Sequence, residues 1–198
     1  IYTYAAKVDN NGKDEDDVAY LRHEKQYRNA LITEQPNGHY GDTIARQFLF
    51  DQFNLLLFTE LLNSTDETVA AIAAKAVKEI RYHLRRSSEW VLRLGDGTEE
   101  SHNRIQDSFN NIWKYTGDMF AKDQAIDHAI SNGVGPDTDK FRSTWKENVS
   151  KVLDAATLKT PEDDWMQQGS LTGSHTEFLG HILSDMQYMQ RTYPGCEW

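Results

Sequence analysis

Cysteine is almost missing from this chain: a single residue, Cys196, stands third from the end. One cysteine allows neither an internal disulfide nor a thiolate metal site, and a reducing, cytoplasmic setting is the expectation. Uninterrupted apolar runs are short, far below the roughly 18 residues a membrane span requires. Positive charge is scarce as well. Lys and Arg number 21 against 31 Asp and Glu, a formal net charge of −10. That balance argues against a nucleic-acid binder, whose footprint is a basic stripe, and an acidic surface repels a phosphate-rich ligand at long range. Missing too are a Gly-rich phosphate loop, a CxxC pair, and a Ser or Cys in a nucleophile setting. No strand pattern bounded by turn residues stands out.

What remains is helical periodicity. With 38% hydrophobic and 26% charged residues over 198 positions, the chain suits one globular domain, 1–198, with a sizeable core. IYTYAAKV reads as the last two turns of an amphipathic helix whose beginning is absent, and DNNGKDEDD (9–17) as an acidic loop. One or two shorter helical pieces follow, then the turn cluster QPNGHYGD. Asp42 can cap TIARQFLFDQFNLLLFTELLN, apolar on nearly every side and so expected under several neighbours. The Ser-Thr-Asp at 64–66 opens a helix of about eight turns that the glycines of GDG at 95–97 close. Thr98 caps EESHNRIQDSFNNIWKYTGDMF, with two acids where the helix dipole favours them. Helices are also expected near 123–131, 138–157 and 175–191. Long helices with short connections make an all-α helical bundle.

The seams carry the chemistry. Steps of four and three along the second helix give Ile44, Phe48, Asp51, Leu55, Phe58 and Leu62, a carboxylate in an apolar stripe. On the third helix the same steps give Val69, Ala73, Ala76, Ile80, His83, Ser87, Trp90 and Leu94, with Glu79 one turn before His83. An unpaired core carboxylate costs several kcal/mol or takes up a proton. Asp51, Glu79 and His83 are therefore expected to meet one another, nearby Lys or Arg, or a metal. Acids and histidine at mid-height resemble, in placement, the ferritin-like di-iron carboxylate architecture. That site needs a Glu from each of two helices and Glu-x-x-His from each of two more. Here Tyr82 occupies the third position after Glu79, and His83 is turned about 100° away. Glu99 and His102 do have the spacing, but at a helix end. The ligand count favours a buried polar network over a metal centre, and on that reading Glu79→Ala should cost about 1–3 kcal/mol. Near the C-terminus, Glu177 and His181 form a second pair at i, i+4. Met186, Tyr188, Met189, Tyr193 and Trp198 make a soft, aromatic tail of the kind enriched at interfaces.

EQPNGHYGDTIARQFLFD, AAKAVKEIRYHLRRS and HTEFLGHILSDMQYMQRTYPG together resemble the structural C subunits of the bacterial phenylacetyl-CoA oxygenases, the ring 1,2-epoxidases. The resemblance runs from YAAKV to Trp198. It implies a ferritin-like four-helix bundle with extra helices, here lacking a first N-terminal helix. It also implies a non-catalytic partner, in a hetero-oligomer, of the catalytic subunit. On that view this chain has no cofactor: the di-iron centre and the NADPH-dependent reductase belong to other subunits. Asp51, Glu79 and His83 would be relics at former ligand positions, and no catalytic residue transfers. The alternative is a di-iron oxygenase active in its own right.

Overall fold

Helix starts are set by short polar side chains. Asp14 accepts the backbone N–H groups of Asp16 and Asp17 at 2.9 Å each, and Glu15, Asp16 and Asp17 fill the first turn that follows, where a helix dipole favours negative charge. The acidic stretch expected as a loop therefore ends in a short helix. Asp66 caps the longest helix through the N–H groups of Thr68 and Val69, at 2.9 and 3.0 Å. Thr98 caps the next through Ser101, at 3.2 Å.

The computed structural model describes residues 1–196. Among them lie eight α-helices and no strand. They are α1 (Tyr2–Asp9), α2 (Glu15–Tyr20), α3 (Tyr40–Leu61), α4 (Glu67–Gly95), α5 (Glu99–Ile112), α6 (Gln124–Ser131), α7 (Asp139–Ala155) and α8 (Glu177–Thr192). Among the described residues no helix is long and apolar enough to cross a membrane.

Two boundaries differ from expectation. The cap of α3 is His39, not Asp42. Asp42 Oδ2 accepts the His39 N–H at 3.0 Å while His39 Nδ1 accepts the Asp42 N–H at 3.3 Å, a reciprocal arrangement that satisfies two orphan donors. The helix from Glu99 stops at Ile112 instead of running to Phe120, and the chain tightens into 3-10 turns at 113–115 and 117–120. The Thr116 hydroxyl donates back to the Trp113 carbonyl at 2.8 Å, competing with the helical ladder. Gly117 follows with its low helix propensity.

The bundle is made by α3, α4, α5 and α7: α3 and α4 pack along their lengths, and α5 and α7 lie against both. The interior is aromatic. Phe48 and Phe109 meet edge-to-face at 6.1 Å, and Phe120 meets Trp145 at 5.5 Å. The Trp145 indole N–H donates to the Leu49 carbonyl at 3.1 Å, so a bulky side chain is buried without an orphan donor. Where α4 ends, Gly95 touches the turn after α7: a Cβ there would collide with the Ala156 carbonyl oxygen. A smaller core of Tyr27, Leu179 and Leu183 seats α8 on the segment after α2. The architecture is the all-α, ferritin-like helical bundle with extra helices.

Candidate functional site

Asp51 sits on α3 facing α4 and is 3% exposed. Both of its oxygens are occupied by protein donors. Gln47 Nε2, one turn earlier, donates to Oδ1 at 2.6 Å, and the Ser87 hydroxyl of α4 donates to Oδ2 at 2.8 Å. Burial pushes the Asp51 carboxyl above its ordinary range; the Ser87 and Gln47 hydrogen bonds and the nearby His83 act in the opposite direction. Desolvation disfavours the charged form, and donors to it favour it.

Glu79 and His83 do not join this network. Their side chains are 78% and 47% exposed, with Glu79 Oε1 and His83 Nε2 3.6 Å apart on the surface of α4. The expectation of one buried Asp51–Glu79–His83 network is corrected, and the reason is helical period. A seam of alternating four- and three-residue steps repeats every seven residues and drifts about 20° per heptad on a straight helix. The buried stripe of α4 is Ala73, Val77, Ser87, Val91 and Gly95. Its members Ala73 and Val91, and likewise Val77 and Gly95, are separated by five full turns. His83 and Glu79 lie about 80° and 120° from the centre of that stripe. Ser87, a member of the expected seam with no role assigned there, is the partner of Asp51.

At the C-terminus, Glu177 and His181 are both exposed. Met186 packs partly buried on the small core under α8, whereas Tyr188, Met189 and Tyr193 face outward, 61%, 41% and 50% exposed. Trp198 lies outside the described residues.

The tightest polar constellation is one that sequence spacing does not single out. Glu34 and His175 are buried together, with His175 Nδ1 2.6 Å from Glu34 Oε1. Asn29 Nδ2 donates to the same oxygen at 2.8 Å. The backbone N–H and hydroxyl of Thr176 both donate to Glu34 Oε2 at 2.8 Å. The other imidazole nitrogen faces the Tyr27 carbonyl at 3.1 Å. A third buried carboxylate, Asp118, accepts the backbone N–H groups of Leu31, Gly169 and Ser170 at 2.9, 3.1 and 3.2 Å. Together Glu34 and Asp118 fasten the 169–176 loop to the segment that leads into α3. The sequence held one hint, an acid or a histidine inside EQPNG and HTE, but nothing in it links positions so far apart.

A di-iron centre needs several carboxylates and imidazoles converging on one point. Among the described residues no three His, Cys, Asp or Glu side chains stand close enough to hold a metal ion, and each Asp51 oxygen accepts a hydrogen bond from a protein side chain. The described residues do not fit that group.

The all-α architecture is of the ferritin-like class, with a buried, hydrogen-bonded carboxylate at the α3–α4 contact. The chain belongs to the phenylacetic acid catabolic protein family, whose match covers residues 1–198. It is similar to the C subunit of the 1,2-phenylacetyl-CoA epoxidase of Escherichia coli (strain K12): 44% identical over 197 residues, 99% of this chain and 79% of that relative.

Proposed function

We propose that this chain is a non-catalytic structural subunit of a cytoplasmic phenylacetyl-CoA epoxidase assembly. It pairs with and stabilises the catalytic di-iron subunit of that monooxygenase in aerobic phenylacetate breakdown. The observation that carries the reading is at Asp51. The one acid buried between α3 and α4 spends both oxygens on Gln47 and Ser87, while Glu79 and His83 turn to the surface. The similarity to a protein named as an epoxidase subunit supports the setting. The iron and the reductase then belong to partner chains, and the outward side chains of Tyr188 and Met189 in α8 and of Tyr193 just after it offer one surface for contact. Co-expression with the catalytic subunit and mass measurement of the intact product test this. A stable hetero-oligomer is the expected result, and a chain that purifies alone under the same conditions contradicts it.

A further inference from the structure

The charge of this protein is distributed unevenly. Residues 75–93 carry Lys75, Lys78, Arg81, Arg85, Arg86 and Arg93 against Glu79 and Glu89, so the rest of the chain carries 15 cations against 29 carboxylates. All six cations lie in α4 and are exposed. Among the described residues, none of the six is within ion-pair distance of a carboxylate: the ion pairs of α4 reduce to Glu79 with His83, and the others lie elsewhere. Most cations elsewhere among the described residues are unpaired as well; what sets α4 apart is the concentration of six exposed cations on one helix of a strongly acidic chain.

The same face has aromatic and apolar content. Tyr82 is 55% exposed and points opposite the buried stripe, with the Arg85 guanidinium 5.7 Å from its ring centroid. Leu92 is also exposed, and Arg93 lies over the half-buried Trp90 at 5.2 Å. Arginine and tyrosine are the residue types enriched at the centres of protein interfaces. From Lys75 to Arg93 the helix runs about 27 Å, a span that suits one side of an ordinary interface.

We infer that the outward face of α4, centred on Tyr82 and flanked by Lys78, Arg85 and Arg86, docks a carboxylate-rich protein surface of a partner subunit. This rests on the reading that the chain is one subunit of a larger assembly, and it assigns that assembly a surface. A second copy is the wrong occupant, because two α4 faces would set six cations against six with two carboxylates on each side. A nucleic acid is disfavoured by the strongly acidic remainder of the molecule. An acidic protein face neutralises the cations, covers Tyr82 and gains electrostatic steering as it approaches.

The test uses the whole chain with the co-expressed catalytic subunit. Lys78→Glu with Arg85→Glu, and separately Tyr82→Ala, are compared with wild type and with a control reversal at Lys7 and Lys13. All of these side chains are exposed, and an unchanged circular-dichroism melt establishes that each variant is folded; the milder Lys78→Gln with Arg85→Gln serves should the reversal misfold. Expected is a dissociation constant raised at least about tenfold by the α4 variants and unmoved by the control. The wild-type constant should also weaken with salt more steeply than that of the charge variant. Wild-type assembly that α4 variants leave unchanged overturns this surface alone. A wild-type chain that does not assemble overturns the subunit reading together with it. Binding of coenzyme A or duplex DNA that the variants abolish, with assembly intact, also overturns it.

Discussion

The Ser87 hydroxyl donates to Asp51 Oδ2 at 2.8 Å, joining α4 to α3 where both helices are buried. Removing the hydroxyl leaves the carboxylate with Gln47 as its one remaining side-chain donor. Ser87→Ala should cost about 1–3 kcal/mol in urea unfolding, the range for a buried polar group deprived of its partner. The α-helical signal before unfolding should be unchanged.

The pH dependence at Asp51 has a definite sign. Burial raises its carboxyl above the unfolded-state value, so the folded protein binds the proton more tightly than the unfolded chain. Stability contributed by this group is then full at acid pH and falls as pH rises from the ordinary carboxylate range through the raised folded value. Asp51→Asn removes that titration. Relative to wild type, the variant should be most favoured near neutral pH, with the difference shrinking toward about pH 4. Melting temperatures of the pair measured across that interval check it; a difference that grows on acidification would contradict it.

The expectation for Glu79→Ala is revised by its exposure. A surface Glu–His pair at i, i+4 contributes a few tenths of a kcal/mol, so the substitution should change stability by less than about 0.5 kcal/mol. Chemical denaturation distinguishes this from the larger loss expected of a buried network.

Helix starts at Asp66 and Thr98, and the positions of α6, α7 and α8, are legible in the sequence because caps and 3.6-residue periodicity act locally. The face of α4 is not, because seven-residue steps hold over two turns and drift over eight. That drift sets a surface Glu and His beside Asp51 on paper and hides Ser87 as its partner. Glu34 with His175, and Asp118 with the loop at 169–170, lie beyond the reach of spacing. Their separations of 141 and 51–52 residues are set by tertiary packing.

Glu34 is the side chain whose removal should be felt farthest. Its four donors, Asn29, His175 and two from Thr176, are held with it under the start of α8. Each buried donor left without its acceptor costs about 1–3 kcal/mol. Because α8 rests on a small separate core, Glu34→Ala should release it locally. Amide hydrogen exchange should accelerate across 169–192 while α3, α4 and α7 stay protected.

Gly95 fixes the approach of α4 to the end of α7. A methyl group there meets the backbone carbonyl of Ala156, which cannot rotate aside as a side chain can. Gly95→Ala should destabilise by roughly 1–3 kcal/mol through overpacking, despite the better helix propensity of alanine. A melting temperature equal to or above wild type would contradict this.

Metal analysis bears on the central claim most directly. The chain is expressed in iron-supplemented cells, purified alone and again within the reconstituted assembly, and its iron is counted per chain. The account predicts well under one iron bound to this polypeptide, with the assembly's iron retained by the catalytic subunit after the two are separated. Close to two irons per copy of this chain, accompanied by oxo-to-iron absorption, would contradict it.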